Sequence, residues 1–244
     1  TRFETKFGHI EGGMTATSDV VFSLKHGLQS AAYNRLAVEF EEIRPLFRTG
    51  ALDQLCDAYN EPGRHYHNSS HMVMLLRLFA KLRDLADDPV AVKVAIFFHD
   101  AIYHIPLDPQ YPPSRDNEER SVKLMNMQAI NPHHKSLLKA AQIIRSTATH
   151  SPGWDIDTRL MHDLDLSILA SSPRRYAEYE LEVRREYEVY PVALYAPARL
   201  GQLRAFMERR RIYTVPGLSA LWETKARNNL SWAIEHLAKG QIPA

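Results

Sequence analysis

The sequence predicts an all-α fold, a single globule of roughly ten helices with boundaries good to ~2 to 4 residues. Three observations predict it. Apolar residues recur at spacings of three and four along most of the chain, capping residues stand at the starts of those stretches, and nowhere do apolar and polar residues alternate as in a strand. The 244 residues, 45% of them hydrophobic, can bury one substantial core, so residues 19–244 read as one domain. Residues 1–18 read as a tag or disordered tail. Thr1–Gly13, which precede Met14, are polar and lack a clear period, and His9 within them carries no functional weight.

From about Val20, the series Leu24, Leu28, Ala31, Leu36, Phe40, Ile43 and Phe47 reads as a long amphipathic helix broken between Pro45 and Gly50. A short helix follows to Tyr59. The turn Asn60-Glu61-Pro62-Gly63 ends it, and Asn68 caps a new helix with His71 in its first turn. Asp88-Pro89, a cap followed by proline at the first helical position, opens a helix through Ala91, Val94, Ala95 and Phe98 to His99-Asp100. The stretch His104–Arg115, with Pro106, Pro109, Pro112 and Pro113, is too long for a plain connection and reads as a functional lid. Further helices are expected from Ser114–Glu118 onward and over Lys135–Thr149, Thr158–Leu169, Arg174–Tyr190, Ala198–Tyr213 and Leu218–Leu237.

Lys and Arg number 30 against 29 Asp and Glu, a formal charge of +1, so no global field draws the chain to nucleic acid or an anionic membrane. The expected partner is a small molecule. The single cysteine, Cys56, permits no intramolecular disulfide and reads as a small packed side chain; no apolar run is long enough for a membrane span. A reducing, cytoplasmic compartment is the expectation.

His99-Asp100 ends the apolar run Val94-Ala95-Ile96-Phe97-Phe98 and places an imidazole and a carboxylate where burial makes both costly. A divalent cation is one of the few partners that makes such a carboxylate tolerable. His71 upstream and the Asp163-Leu164-Asp165 segment downstream could complete a four-ligand site. Imidazole and carboxylate suit iron, manganese, cobalt, nickel or zinc, with magnesium also admitted; the absence of cysteine ligands argues against a structural zinc site. Residues two apart on a helix point about 200° apart, so Asp163 and Asp165 cannot both face one ion.

Four segments in order, His65-Tyr66-His67-Asn68-Ser69-Ser70-His71, Phe98-His99-Asp100-Ala101-Ile102-Tyr103, Asp116-Asn117-Glu118-Glu119-Arg120-Ser121 and Asp163-Leu164-Asp165-Leu166-Ser167-Ile168-Leu169, resemble a predicted branch of the HD superfamily of metal-dependent phosphohydrolases. The likeness covers about Tyr59–Leu230. Toward the C-terminus it rests on Arg184-Arg185-Glu186-Tyr187, Ile212-Tyr213, and Glu223 with Ala226-Arg227-Asn228-Asn229-Leu230. It implies an HD-like helical domain with His71, His99, Asp100 and Asp165 as metal ligands, Asp165 being favoured over Asp163 because Leu164-Asp165-Leu166 better matches the family's last ligand. It supplies no substrate, and His104 stands where an acidic residue is expected. Asp163 then reads as a cap or salt-bridge partner.

The implied function is hydrolysis of a phosphate ester, with nucleotides among the candidates. Arg64 and His67 are candidates to hold the phosphate, and His65 a weaker one, since Arg offers forked donors and protonated His adds charge. The plainer alternatives pair Arg64 with Glu61, make His65 a turn cap, and make His67 and His71 a separate zinc pair. Glu118 is the candidate base for the attacking water. Its plainer alternative is a helix capped by Asp116, whose early glutamates complement the dipole. His150 could contact a leaving group or second metal, or simply end its helix. Met125 and Met127 read as packed, Arg209-Arg210-Arg211 as a solvated face, and Tyr176, Tyr179, Tyr187 and Tyr190 as core or interface. The alternative function is a non-catalytic, metal-braced helical module that binds or senses a ligand. A third is oxidation at a two-iron site completed by His67, His150 and Glu118.

Overall fold

The computed structural model describes residues 25–243 except 152 and 154, and leaves the side chains of 25–30 undescribed. The expected tail and the helix start near Val20 lie outside the described residues. Those residues form ten α-helices and no strand, apart from one isolated antiparallel bridge between Phe47 and Ala129. The helices are α1 (Lys25–Phe40), α2 (Ala51–Tyr59), α3 (Ser69–Leu82), α4 (Pro89–Phe98), α5 (Asn117–Gln128), α6 (Lys135–Thr147), α7 (Ile156–Asp165), α8 (Pro173–Glu186), α9 (Val192–Met207) and α10 (Pro216–Ala238). None is long and apolar enough to cross a membrane.

The helices sort into two compact units. The first comprises the described residues up to Pro62, with His67–Tyr103 and Arg115–Met161; the second comprises Gly63–Tyr66, His104–Ser114 and the described residues from His162 onward.

In the first unit α4 is the central element. All its residues from Ala91 to Phe98 are buried, and α3, α5 and α6 pack against it. Phe97 meets Phe40 edge-on at 5.2 Å and Phe98 stacks on Phe47 at 5.0 Å, which fixes the end of the helix that leads into His99-Asp100. The start is fixed by carboxylates. Asp88 Oδ1 accepts from Ala91 N (2.9 Å) above Pro89, as its cap spacing predicts. The fully buried Asp157 accepts from Asp87 N at 2.7 Å and Asp88 N at 3.0 Å, and pairs with Lys139. Lys93, the one charged residue inside α4, is neutralised by Glu39 at 3.0 Å and Glu42 at 2.8 Å. Cys56 is packed as expected, and burial pushes its thiol up to about 11. Met125 is buried, but Met127 is 69% exposed, a correction that follows from their being two apart on one helix.

In the second unit the 3₁₀ turn Leu166–Ala170 packs on α10 and α8, and α9 packs on α10. Arg199 and Glu180 form a buried pair at 2.8 Å, and Arg199 Nη2 also donates to the Tyr179 hydroxyl at 3.0 Å. Helices α7 and α9 depart from the sequence reading. α9 runs from Val192 to Met207, not from Ala198 to Tyr213: Pro197 deletes only one backbone donor while the preceding Tyr195 and Ala196 are buried, and beyond the helix the N–H groups of Ile212 and Tyr213 donate to Glu223. α7 ends at Asp165 and tightens into the 3₁₀ turn before Leu169.

Candidate metal centre

Two helix ends in the first unit carry the candidate donors. Asn68 caps α3, its Oδ1 accepting from Ser70 N at 2.8 Å, and this places His71 in the first turn. His99 continues α4 by one residue, its N–H donating to Ala95 O at 2.9 Å, and Asp100 follows with its N–H donating to the Tyr59 hydroxyl at 3.2 Å. His71 and His99 are buried; Asp100 is half-buried.

Their acceptor atoms converge. His99 Nε2 lies 3.3 Å from His71 Nε2 and 3.1 Å from Asp100 Oδ2, and His71 Nε2 lies 3.9 Å from Asp100 Oδ2. His99 Nδ1 sits 3.1 Å from the Ile96 carbonyl, so that nitrogen carries a proton and donates it. Donors ~2.1 Å from a common ion are about 3.0 Å apart at a right angle and about 3.4 Å apart at the tetrahedral angle; the two separations from His99 Nε2 fall in that range, and the 3.9 Å between His71 and Asp100 is wider.

The other expected site residues fall as follows. His67 lies beside the pair, its ring centroid 6.1 Å from that of His71, and it stacks on Tyr103 at 4.0 Å. Glu118, half-buried in the first turn of α5, has its carboxyl pushed above the usual glutamate range by burial first and by the Asp100 charge second, while His150 and His99 act in the opposite direction. It therefore lies within electrostatic reach of all three. Glu119 turns away to Arg145 at 2.6 Å. Asp116 occupies the cap position of α5 without a side-chain cap bond, and Glu118 and Glu119 stand in the first turn, where they complement the helix dipole. His150 holds a left-handed backbone, φ 46°, unusual for a residue with a side chain.

Arg64 and Asp165 belong to the second unit. Arg64 is buried there. Asp165, the last residue of α7, is half-buried; its charge adds to burial in pushing up the phenols of Tyr66 and Tyr179, which pack edge-to-face at 4.5 Å. Asp163 is differently engaged. Fully buried, it accepts from Thr214 N (2.9 Å) and Val215 N (2.8 Å), anchoring the start of α10 as a cap does.

Sequence reasoning did not single out Tyr59, Tyr103 or the bonding role of Glu186. Glu186 Oε1 accepts from both His65 N (2.9 Å) and Tyr66 N (2.8 Å), holding the segment that contains Arg64 from within the second unit. No spacing rule connects residues 120 apart, so only the fold reveals this contact. Comparison with protein-family models, with curated proteins and with solved structures finds no match.

Proposed function

We propose that the protein is a metal-dependent phosphohydrolase acting on a small phosphate ester, with nucleotides among the substrates to be tried first. One observation carries the reading: three acceptor atoms, two of them on buried imidazoles, crowd within 3.9 Å of one another at the junction of two helix ends. Such a cluster is costly without a cation or a shared proton among its members, and a cation satisfies all three atoms at once. His71, His99 and Asp100 would hold the ion, and the family resemblance adds Asp165 as the fourth ligand. A divalent cation held there supplies Lewis acidity, polarising a phosphoryl oxygen and making water easier to deprotonate.

The chain's own groups do the rest. Glu118, whose carboxylate burial makes more basic than that of an ordinary glutamate, is the acceptor for the proton that the attacking water loses. His67 and Arg64 donate to the phosphoryl oxygens and offset their charge. Ile96 fixes the His99 tautomer through its carbonyl, so Nε2 keeps its lone pair and would be the atom that holds an ion.

Elemental analysis of protein purified without added metal, followed by a panel of phosphate esters and nucleotides, tests this. The expected result is about one bound divalent ion per chain and hydrolysis of at least one ester, both lost in His99→Ala and Asp100→Ala. Undiminished metal content in both variants overturns the site. Tight metal with strong thermal stabilisation and no turnover would transfer the protein to the metal-braced binding-module reading.

A further inference from the structure

We propose that Tyr103 is a positioning residue for His67, holding its imidazole so that a ring nitrogen meets a phosphoryl oxygen of the substrate; the inference rests on the phosphohydrolase reading and deepens it. The two rings lie 4.0 Å apart with planes 21° from parallel, which is full face-to-face stacking. His67 immediately precedes the Asn68 cap and stands one helical turn ahead of His71, with its ring at 71° to that ring. Tyr103 lies three residues past Asp100, in the non-helical stretch after α4. The stack therefore joins the two short segments that carry the three converging acceptors of the first unit. Both rings are half-buried, so each keeps part of its surface open to a ligand.

An imidazole on a segment without helical hydrogen bonds would sample several rotamers, and fixing one on binding costs affinity. A ring already laid against an aromatic face avoids that loss. The stack requires the aromatic plane and not the phenolic oxygen, so Phe in place of Tyr103 preserves it and Leu does not. The position of the imidazole, rather than its titration, is what the contact controls.

A double-mutant cycle with inorganic phosphate as the probe tests the proposal, with phosphate affinity read by calorimetry in every chain, the His67 ring signals followed by NMR in the chains that keep that residue, and KM and kcat measured in parallel with p-nitrophenyl phosphate. In the wild-type chain the His67 ring protons should be shifted upfield by the Tyr103 ring current, and the shift should persist in Tyr103→Phe. Tyr103→Leu and His67→Ala should each weaken phosphate binding roughly tenfold, the size of one charge-assisted hydrogen bond. The double variant should be no weaker than His67→Ala alone. The loss should appear to the same extent in kcat/KM of Tyr103→Leu and of His67→Ala, and Tyr103→Phe should stay within about twofold of wild type.

Additive losses, a loss in Tyr103→Phe as large as in Tyr103→Leu, or an absent ring-current shift in wild type each overturn the proposal. The ring-current measurement needs no variant, so a misfolded Tyr103→Leu chain leaves the test intact. If phosphate binding shows the coupling while no ester is hydrolysed, Tyr103 positions His67 as stated and the phosphohydrolase reading falls by itself. If esters are hydrolysed equally by all four chains, the positioning role falls and the hydrolase reading stands.

Discussion

His99 turns Nδ1 toward the carbonyl of Ile96, 3.1 Å away and one turn back along the same helix, and this bond dictates what its other nitrogen can do. With the proton committed to Ile96, Nε2 presents a lone pair to His71 Nε2 at 3.3 Å and to an Asp100 oxygen at 3.1 Å. Acceptors so arranged repel one another unless a cation lies among them, or unless a proton does, carried by His71 Nε2 and donated to His99 Nε2 or taken up by His99 as a second proton. The two cases separate by experiment.

Chelation should lower the thermal midpoint, and readdition of a divalent ion should restore it. A ligand present at 100 to 1,000 times its dissociation constant stabilises by ~3 to 4 kcal/mol, so the shift should be several degrees. Imidazole must be neutral to ligate, so metal content should fall as pH drops through the histidine range. A midpoint unmoved by chelator in scanning fluorimetry would leave a proton shared between His71 and His99 as the explanation of the cluster.

Asp163 and Asp165 should separate cleanly in substitution experiments. Asp163 is buried and holds Thr214 N and Val215 N, so Asp163→Ala should destabilise the chain by about 2 to 4 kcal/mol, read from denaturant midpoints. Asp165→Asn, at a half-buried position, should cost little stability and should lower metal affinity at least tenfold. The reverse pattern, metal lost with Asp163 and retained with Asp165→Asn, would reassign the fourth ligand.

Much of this was legible in the chain because its information was local. Asn68, Asp88 and Pro89 announced two helix starts, and those starts place His71 in a first turn and His99 just past a last turn. The nearness of those two ends is a property of packing around Phe40, Phe47, Phe97 and Phe98, which periodicity marks as apolar without saying which ring meets which. The role of Asp163 was equally hidden. An acidic residue two positions from a candidate ligand looks the same in sequence whether it binds an ion or caps a helix 51 residues downstream. Pro197 lies inside α9, well past its start, and the helix continues through it beside the buried Tyr195 and Ala196, so the start at Val192 is a product of tertiary packing that local sequence does not announce.

Asp157 should behave as a remote support of the metal centre. It holds the backbone of Asp87 and Asp88 from a fully buried position and pairs with Lys139, which pins the start of the helix whose far end bears His99. Removing the carboxylate leaves two part-buried backbone donors without their acceptor and Lys139 without its partner. Asp157→Ala should therefore cost about 2 to 4 kcal/mol. Hydrogen exchange should show the first turn of α4 losing protection, and a retained exchange rate there would show that Pro89 and Asp88 suffice.

The Lys93 cluster gives a pH dependence whose sign is fixed. Burial acts to raise the Glu42 carboxyl, but hydrogen bonds from Lys93 and Arg83 outweigh it and hold it below the usual glutamate value. A carboxylate with a depressed folded pKa adds stability above its unfolded pKa and loses it as pH falls through the folded value. Glu42→Gln should thus lower the thermal midpoint at about pH 7, and the deficit should shrink to nothing in acid, where wild-type Glu42 is also uncharged. A deficit that persists unchanged to about pH 2 would mean that shape, and not charge, holds the cluster together.

Glu118→Gln separates catalysis from stability at the centre itself. The side chain is half-buried beside the Asp100 charge, an environment that disfavours its ionised form and so costs the folded chain something at neutral pH. The amide removes that penalty with almost the same shape, so the variant should be as stable as wild type or more so. It should also retain its metal, since the three converging acceptors are untouched. As the base for the attacking water, however, Glu118 cannot be replaced by an amide, and kcat should fall ~10² to 10⁴-fold with little change in KM. Full activity in Glu118→Gln would return this residue to the structural role that its place in the first turn of α5 first suggests, and would require another group to accept the proton.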